Sequence, residues 1–295
     1  MSSDLSLDHA LSILEDSPGP YVLKNPLCGP QSPVHTIVCE TEAETRRWLP
    51  EIDYSEGVFM QEYAGRREVG HIALVSAGEV HSLVTNQEYK RAFDGNMGIV
   101  AGAPLGGLIE WDTGDRHGLA RELLEPLVPW FRKVRFHGPV QVTAALHHGR
   151  WQVLEYNVRL GVTSGPMILR LMENPVEVLT ACARNEPLDP VWRSGLTHGC
   201  SITLAGYGYP YTRITGPRVP LTIEPGLDCD VWWNEADAGP GGPDATGHRI
   251  CDVCAVSGSM ESAIHRAYAN IRRIHCLGSY FRTDIGQTLW PPGRD

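Results

Sequence analysis

The sequence predicts an α+β protein, because helical and strand patterns are interspersed through most of the chain and short strands dominate its last third. Its 295 residues are enough for two domains of moderate size, each with its own core. A composition change between residues 187 and 195 marks the expected boundary. We therefore expect one domain over residues 1–190 and a smaller, β-rich domain over residues 191–295.

Composition and charge exclude several classes of protein. Apolar residues make up 42% of the chain and charged residues 20%, which is typical of a soluble globular protein. The 35 acidic residues outnumber the 25 basic ones, and a net charge of −10 argues against a nucleic-acid partner. No stretch approaches the roughly 18 apolar residues of a membrane helix, and the first residues do not form a signal peptide. We expect a cytoplasmic protein.

The elements follow from local patterns. Apolar residues at helical spacing predict helices over residues 7–14, 42–49, 117–134, 165–172, 176–183 and 260–274. Apolar and β-branched runs predict strands over residues 21–24, 36–39, 57–60, 71–76, 81–84, 139–146, 151–156, 201–205, 221–223, 229–232 and 249–256. The turn Pro18-Gly19-Pro20 ends the first helix. Glycine, proline and aspartate are frequent in residues 234–247, which we predict to be a loop.

One predicted strand carries a pattern typical of a metal-binding site. In residues 153–159, alternation places Glu155, Asn157 and Arg159 on one face and Leu154, Tyr156 and Val158 on the other, apolar face, which we expect to be buried. Carboxylate and amide oxygens suit a hard cation such as Mg²⁺, and a guanidinium can hold a phosphate. A solvated strand face with an ion pair would show the same pattern.

Two further segments offer nucleotide contacts. A strand that runs into a hinge at Gln61, Glu62, Tyr63 and Ala64 exposes backbone groups to an adenine edge, and Glu68 can accept from ribose hydroxyls. Taken alone, this segment is better explained as a strand end with an exposed glutamate.

Basic residues offer contacts to phosphates. Lys24 ends an apolar strand, where a phosphate or a carboxylate would pair it. Lys90 and Arg91 precede a glycine-containing loop and could face a polyanion, although adjacent basic residues are usually a solvated surface.

The eight cysteines are scattered along the chain, which indicates reduced thiols. Cys251 and Cys254 have a spacing seen in zinc sites, but such sites need four ligands and no second pair of this kind is present. The pair lies in a strand pattern, so we expect the two side chains on opposite faces. Recruitment of His248, His275 or Cys276 remains the alternative.

Taken together and in order, these pieces resemble the glycinamide ribonucleotide synthetase (phosphoribosylamine–glycine ligase) family of the ATP-grasp superfamily. YVLK resembles the strand with the family's ATP-contacting lysine, and MQEYAGRRE resembles its E-E-F-L-x-G-x-E hinge. QEYKRAFDGNMG resembles Q-D-H-K-R-A-F-D-G-D-x-G, and LEYNVRLG resembles L-E-F-N-x-R-F-G. The segment AYANIRRIHCLGSYFRTDIG resembles the C-terminal signature.

The resemblance implies an ATP-grasp fold, with two α+β subdomains around a nucleotide cleft, and a small β-rich C-terminal domain. It implies that ATP and Mg²⁺ or Mn²⁺ are used, with the metal at Glu155 and Asn157. We expect the remaining contacts to divide between nucleotide binding, at Lys24, Gln61, Glu62, Tyr63, Ala64 and Glu68, and catalysis, at Lys90, Arg91 and Arg159.

Three departures from the family pattern bear on function. The family has a further domain before the part where this chain begins, and we expect a protein partner to supply it if the activity needs it. The family's flexible G-K-G loop is replaced by the proline-rich residues 27–33. The N-T-G-G-M-G loop is replaced by residues 100–105, and D-P-E by Val162, Thr163 and Ser164.

These features favour an ATP-dependent ligase that joins a small-molecule carboxylate, from an amino acid, to an amine other than phosphoribosylamine through an acyl-phosphate. One alternative is a degenerate nucleotide-binding subunit that acts in a complex. Another is glycinamide ribonucleotide synthesis with the missing domain supplied in trans.

Overall fold

The computed structural model describes residues 5–24, 36–55, 57–65, 68–211 and 218–287. The α-helices in these ranges are α1 (Leu7–Asp16), α2 (Glu42–Trp48), α3 (Val128–Val134), α4 (Gly165–Leu171), α5 (Pro175–Ala183) and α6 (Met260–Ile271). None of these helices combines the length and the apolar character that a membrane crossing requires.

The strands of the first half are β1 (Tyr21–Lys24), β2 (Thr36–Val38), β3 (Phe59–Glu62), β4 (Glu68–Ser76), β5 (Glu79–Glu88), β6 (Arg91–Phe93), β7 (Met97–Val100), β8 (Gly106–Trp111), β9 (Gly138–His147) and β10 (Arg150–Asn157). Those of the second half are β11 (His198–Ala205), β12 (Val219–Ile223), β13 (Asp230–Trp233), β14 (Ala236–Gly239), β15 (Gly242–Ala245), β16 (Arg249–Ser257) and β17 (Ile274–Cys276).

The N-terminal part is a small antiparallel sheet in the order β2-β1-β3, covered by α1 and α2. Buried Leu14 and Leu49 pack against Leu23 of the central strand. The helix starts are capped by side chains, because Ser6 accepts from the His9 backbone and Thr41 from the Glu44 backbone. This sheet forms one wall of the cleft described below.

The other wall belongs to an eight-stranded antiparallel sheet in the order β10-β9-β4-β5-β8-β11-β16-β13. Helices α4 and α5 pack on it through Met167, Leu171 and Val178. Strands from both sides of residue 190 share the sheet, since β8 pairs with β11. The boundary at residue 190 stays a prediction.

Helix α6 and a four-stranded sheet, in the order β14-β15-β12-β17, complete the C-terminal part. Ala267 and Ile271 of the helix share a core cluster with Ile202 and Val253 of the large sheet.

Three local predictions were wrong. The helix over residues 117–134 is broken into a π-helical turn (Ala120–Leu124), a 3-10 turn (Glu125–Leu127) and α3, because Pro126 and Pro129 cannot donate backbone hydrogen bonds. The loop over residues 234–247 contains the hairpin β14–β15, whose pairing uses backbone groups and needs no apolar pattern. The last helix ends at Ile271, because Ile274 is buried and pairs with Ile223.

Candidate active site

A cleft of about 890 Å³ separates the small sheet from the edge of the eight-stranded sheet. The predicted site residues that line it are Lys24, Gln61, Tyr63, Ala64, Glu68, Lys90, Arg91, Glu155, Asn157 and Arg159. The exception is Glu62, whose side chain is exposed on β3 and does not line the cleft. The structure therefore brings ten of the eleven side chains to one cavity.

Strand β10 supplies the two candidate metal ligands. Glu155 and Asn157 both face the cleft, as the alternation predicts, and pair with Thr143 and Gln141 of β9. The expectation that the opposite side of this strand is buried was wrong, because Tyr156 is 42% exposed and Val158 68% exposed. The reason is position, since β10 is the edge strand of the sheet.

Lys90 sits among three carboxylates. Its Nζ atom donates to Glu68 Oε1 at 2.5 Å and to Glu155 Oε1 at 3.4 Å, and lies 3.6 Å from Glu88 Oε2. Burial lowers the pKa of Lys90, but the three carboxylates outweigh it and raise this pKa above its usual range. Lys90 is therefore protonated at any physiological pH.

The same cluster governs Glu155. Burial raises the pKa of the Glu155 carboxyl. The charges of Lys90 and Lys24 and a hydrogen bond from Asn157 have a larger effect in the opposite direction, so the pKa is lowered overall. The carboxylate that faces the cleft is thus kept ionised.

Lys24 and Gln61 reach across the cleft to the backbone of β10. Lys24 Nζ donates to the carbonyl of Leu154 at 3.3 Å, and Gln61 Nε2 donates to the carbonyl of Val153, also at 3.3 Å. Burial lowers the pKa of Lys24, an effect that the nearby Glu155 carboxylate partly offsets. The other amide atom, Gln61 Oε1, is buried and has no hydrogen-bond partner among the described residues.

The hinge after β3 is only partly free for a ligand. The Tyr63 backbone N–H donates to the carbonyl of Pro20 at 3.1 Å. Ala64 is buried and lines the cleft together with Val22 and Val38. These apolar side chains make this end of the cleft suitable for a flat, uncharged ring system.

The two arginines differ in their surroundings. Arg91 donates to the carbonyl of Gly98 at 2.9 Å, and its Nη2 lies 3.8 Å from a Glu40 oxygen. Arg159 is exposed, and its one hydrogen bond in the described structure is a 3.4 Å contact from Nη1 to the carbonyl of Leu160. Arg159 is therefore the more available cation for an anionic ligand.

Sequence reasoning missed Glu88 and Gln141. Glu88 lines the cleft two residues before Lys90, and Gln141 Nε2 donates to Glu88 Oε1 at 3.3 Å. Alternation along β5 was the available signal for Glu88, since it puts residues 86 and 88 on one face. No local signal marks Gln141, which reaches the site through the pairing of β9 with β4.

The segments that depart from the family pattern lie partly along the cleft. Val100, Ala101, Gly102, Ala103 and Pro104 line it, as does Val162. Thr163 and Ser164 are buried and lie outside the lining. The proline-rich residues 27–33 lie outside the described residues.

Cys251 and Cys254 do not converge. Both are buried in β16, with Cys251 in the cluster around α6 and Cys254 in the cluster around α4 and α5. The predicted opposite orientation is confirmed. Burial raises the pKa of both thiols.

One other group has the residue types of a metal site. Ligand atoms of His71, Asp112 and Asp115 lie within 4.8 Å of one another. Both ring nitrogens of His71 already have partners, however, Thr85 at 3.1 Å and Ser82 at 3.0 Å. The cluster is away from the cleft lining and reads as a structural network.

Comparison with known proteins places this architecture. No family model matches the chain. It is 27% identical over 268 residues to the phosphoribosylamine–glycine ligase of Synechocystis sp., covering 85% of this chain and 62% of that protein. It is 31% identical over 243 residues to the enzyme of the same name from Phenylobacterium zucineum, covering 74% of this chain and 54% of that protein. The chain thus spans less than two thirds of the length of these relatives.

The crystal structure of phosphoribosylamine–glycine ligase from Thermotoga maritima superposes with a TM-score of 0.75 at 21% identity, covering 95% of this chain and 72% of that one. The fold is therefore the α+β ATP-grasp fold, as predicted, and the resemblance to phosphoribosylamine–glycine ligases is confirmed over most of the chain.

Proposed function

We propose that this chain is an ATP-dependent carboxylate–amine ligase that forms an amide through an acyl-phosphate, with an amino acid as the carboxylate and an amine other than phosphoribosylamine. The observation that carries the proposal is the convergence of Lys24, Lys90, Glu68, Glu155 and Asn157 on one cleft with an apolar end. The similarity to phosphoribosylamine–glycine ligases supports the same class of reaction.

The cleft suits a nucleotide. Val22, Val38 and Ala64 offer apolar contact to a base, and the unpartnered Gln61 Oε1 is an acceptor for an exocyclic amino group. Lys24 offers a cation to the phosphates. Lys24 and Gln61 are half-buried, which strengthens their polar contacts relative to those of exposed side chains.

A divalent metal fits the donor set at the next point along the cleft. Glu155 and Asn157 offer oxygen ligands, the kind that Mg²⁺ and Mn²⁺ prefer. Glu155 and Glu88 lie 3.4 Å and 3.6 Å from the Lys90 ammonium group, which supports the proposal that this part of the cleft favours cations. When bound there, Mg²⁺ would offset negative charge on the triphosphate.

The reaction then needs two displacements. A carboxylate oxygen bonds to the γ-phosphorus while the bond from that phosphorus to the bridging oxygen breaks and ADP leaves. An uncharged amine next attacks the acyl carbon, the bond from carbon to the phosphate oxygen breaks, and inorganic phosphate leaves and takes up the proton that the amine loses. Lys90, Arg91 and Arg159 are the catalytic residues we assign, because their cations stabilise charge on the transferred phosphoryl group.

We place this proposed reaction in the cytoplasm, as the composition and the scattered cysteines of the sequence lead us to expect. The seven cysteines in the described ranges are all free.

The test is release of ADP and phosphate by the purified chain with Mg-ATP and pools of amino acids and amines. We expect release that depends on both pools. If ATP binds but no pool raises ADP above background, the ligase is excluded and a nucleotide-binding subunit remains. Release with glycine and phosphoribosylamine alone would instead favour glycinamide ribonucleotide synthesis, and recovery only with an added partner domain would show that this domain acts in trans.

A further inference from the structure

Strand β10 gives the cleft a direction. Gln61 contacts the carbonyl of residue 153, Lys24 that of residue 154, and Lys90 the side chain of Glu155. A strand advances about 3.3 Å per residue. Beyond Asn157 and the end of the strand, the lining continues with Arg159 and Val162. A nucleotide with its base near residue 61 would therefore point its terminal phosphate toward Arg159 and Val162.

The wall at this acceptor end, defined here as Ala103, Pro104 and Val162, is aliphatic. The two segments lie side by side, because Gly107 packs closely against Thr163. Val162 is 37% exposed and lines the cleft. Such a wall favours an apolar substituent, since covering both surfaces removes apolar area from water.

The other charged groups that line the cleft are mostly compensated. Asp284 accepts from the Gly95 backbone at 2.9 Å and from Arg282 at 2.6 Å. Arg91 is engaged with Gly98. Within the described ranges, Arg159 has no carboxylate partner. The acceptor end therefore offers one available cation beside an aliphatic wall.

The wall is held in place from the C-terminal part of the chain. The carbonyl of Pro104 accepts from Arg249 Nη1 at 2.5 Å and from Thr203 Oγ1 at 3.2 Å. The carbonyl of Ala103 accepts from the Tyr209 hydroxyl at 2.9 Å. A wall fixed by these contacts is preformed and does not need to be ordered by the ligand.

We infer that the acceptor end selects a carboxylic acid with an uncharged aliphatic substituent, such as an α-amino acid with a branched side chain, and that Arg159 binds its carboxylate. This rests on the proposed ligase function. Glycine has no substituent to cover the wall, and aspartate would place a second charge against it, which costs desolvation free energy without a partner.

The experiment is calorimetric titration of the whole chain, first with the non-hydrolysable ATP analogue AMP-PNP and magnesium, then with glycine, valine, leucine and aspartate. We expect valine or leucine to bind about tenfold or more tightly than glycine and aspartate, the size of discrimination that methylene groups give in an apolar pocket. Val162→Thr, which adds a hydroxyl group but no charge beside the phosphates, should weaken this preference without changing nucleotide binding. The matched control is Val176→Thr, at an exposed position of α5, which should leave the preference intact.

The outcomes distinguish failure of the acceptor-end inference from failure of the proposed function. If AMP-PNP binds and glycine or aspartate is preferred, or no acid binds, or Val162→Thr changes nothing, the inference about the acceptor end is wrong while the nucleotide site stands. If AMP-PNP does not bind in the presence of magnesium, the proposed function and this inference both fall.

Discussion

Lys90 Nζ lies 2.5 Å from Glu68 Oε1, a direct ion pair between β4 and the segment that follows β5. The ammonium group also faces Glu88 and Glu155, so one cation compensates three carboxylates. Like charges at such distances repel, and the arrangement persists because Lys90 is between them. The charge balance of the cleft therefore depends mainly on Lys90, with a smaller contribution from Lys24 at Glu155.

Lys90→Met should destabilise the chain and make it responsive to divalent cations. Without the ammonium group, three carboxylates repel one another, and we expect the free energy of unfolding to fall by about 2 kcal/mol. Magnesium should restore part of the loss, because it binds the freed carboxylates in the folded state only. Denaturant titrations with and without magnesium measure both effects. Lys133→Met, at an exposed position on α3, is the control and should show neither effect.

Glu155→Gln tests the metal assignment. The change keeps the shape of the side chain but removes its charge, so we expect the fold to persist and turnover to fall by about 100-fold or more. Magnesium-dependent nucleotide binding should weaken in the same variant. The comparison is Glu261→Gln, at an exposed position of α6, which should leave turnover unchanged. Wild-type turnover in Glu155→Gln would show that the metal is held elsewhere.

The sequence predicted what depends on local geometry. Alternation along β10 identified Glu155 and Asn157 as cleft-facing, because the period of a strand is independent of its neighbours. The prediction that Tyr156 and Val158 are buried was wrong, because burial depends on what covers a strand and β10 is at the edge of its sheet. The role of Gln141 was out of reach for the same reason, because only strand pairing brings it to Glu88.

The network around Arg249 gives a stability prediction for the wall at the acceptor end. Arg249 Nη2 donates to Asp252 Oδ1 at 2.6 Å, and both side chains are nearly buried. Arg249→Met leaves a buried carboxylate without its cation and removes a donor from the Pro104 carbonyl, so the free energy of unfolding should fall by about 3 kcal/mol.

A double variant separates charge from packing in that network. Arg249→Met with Asp252→Asn should be less destabilised than the sum of the two single changes, since neither charge is then left alone. Arg218→Met breaks the exposed pair with Asp237 and should cost less than about 1 kcal/mol. Additive losses in the double variant, measured by denaturant unfolding, would contradict a direct coupling between Arg249 and Asp252.

His71 predicts how stability depends on pH. Burial lowers the pKa of its imidazole, although Asp115 and Asp112 oppose this effect. The Thr85 hydroxyl donates to Asp112 at 2.7 Å, so its oxygen accepts from His71 Nδ1, which fixes a neutral tautomer with Nε2 facing Ser82. The folded state therefore holds an uncharged histidine.

The direction of the pH dependence of the free energy of unfolding follows from proton uptake by His71. Below about pH 6.5, the ordinary value for histidine, the unfolded chain binds a proton that the folded chain does not. The free energy of unfolding should fall as the pH drops from about 6.5 to the lower pKa of folded His71, and this contribution should vanish above that window. His71→Gln should flatten the slope relative to the wild type, whereas His265→Gln, at an exposed position of α6, should not. Equal slopes for the wild type and His71→Gln in denaturant unfolding between these pH values would show that His71 titrates normally in the folded protein.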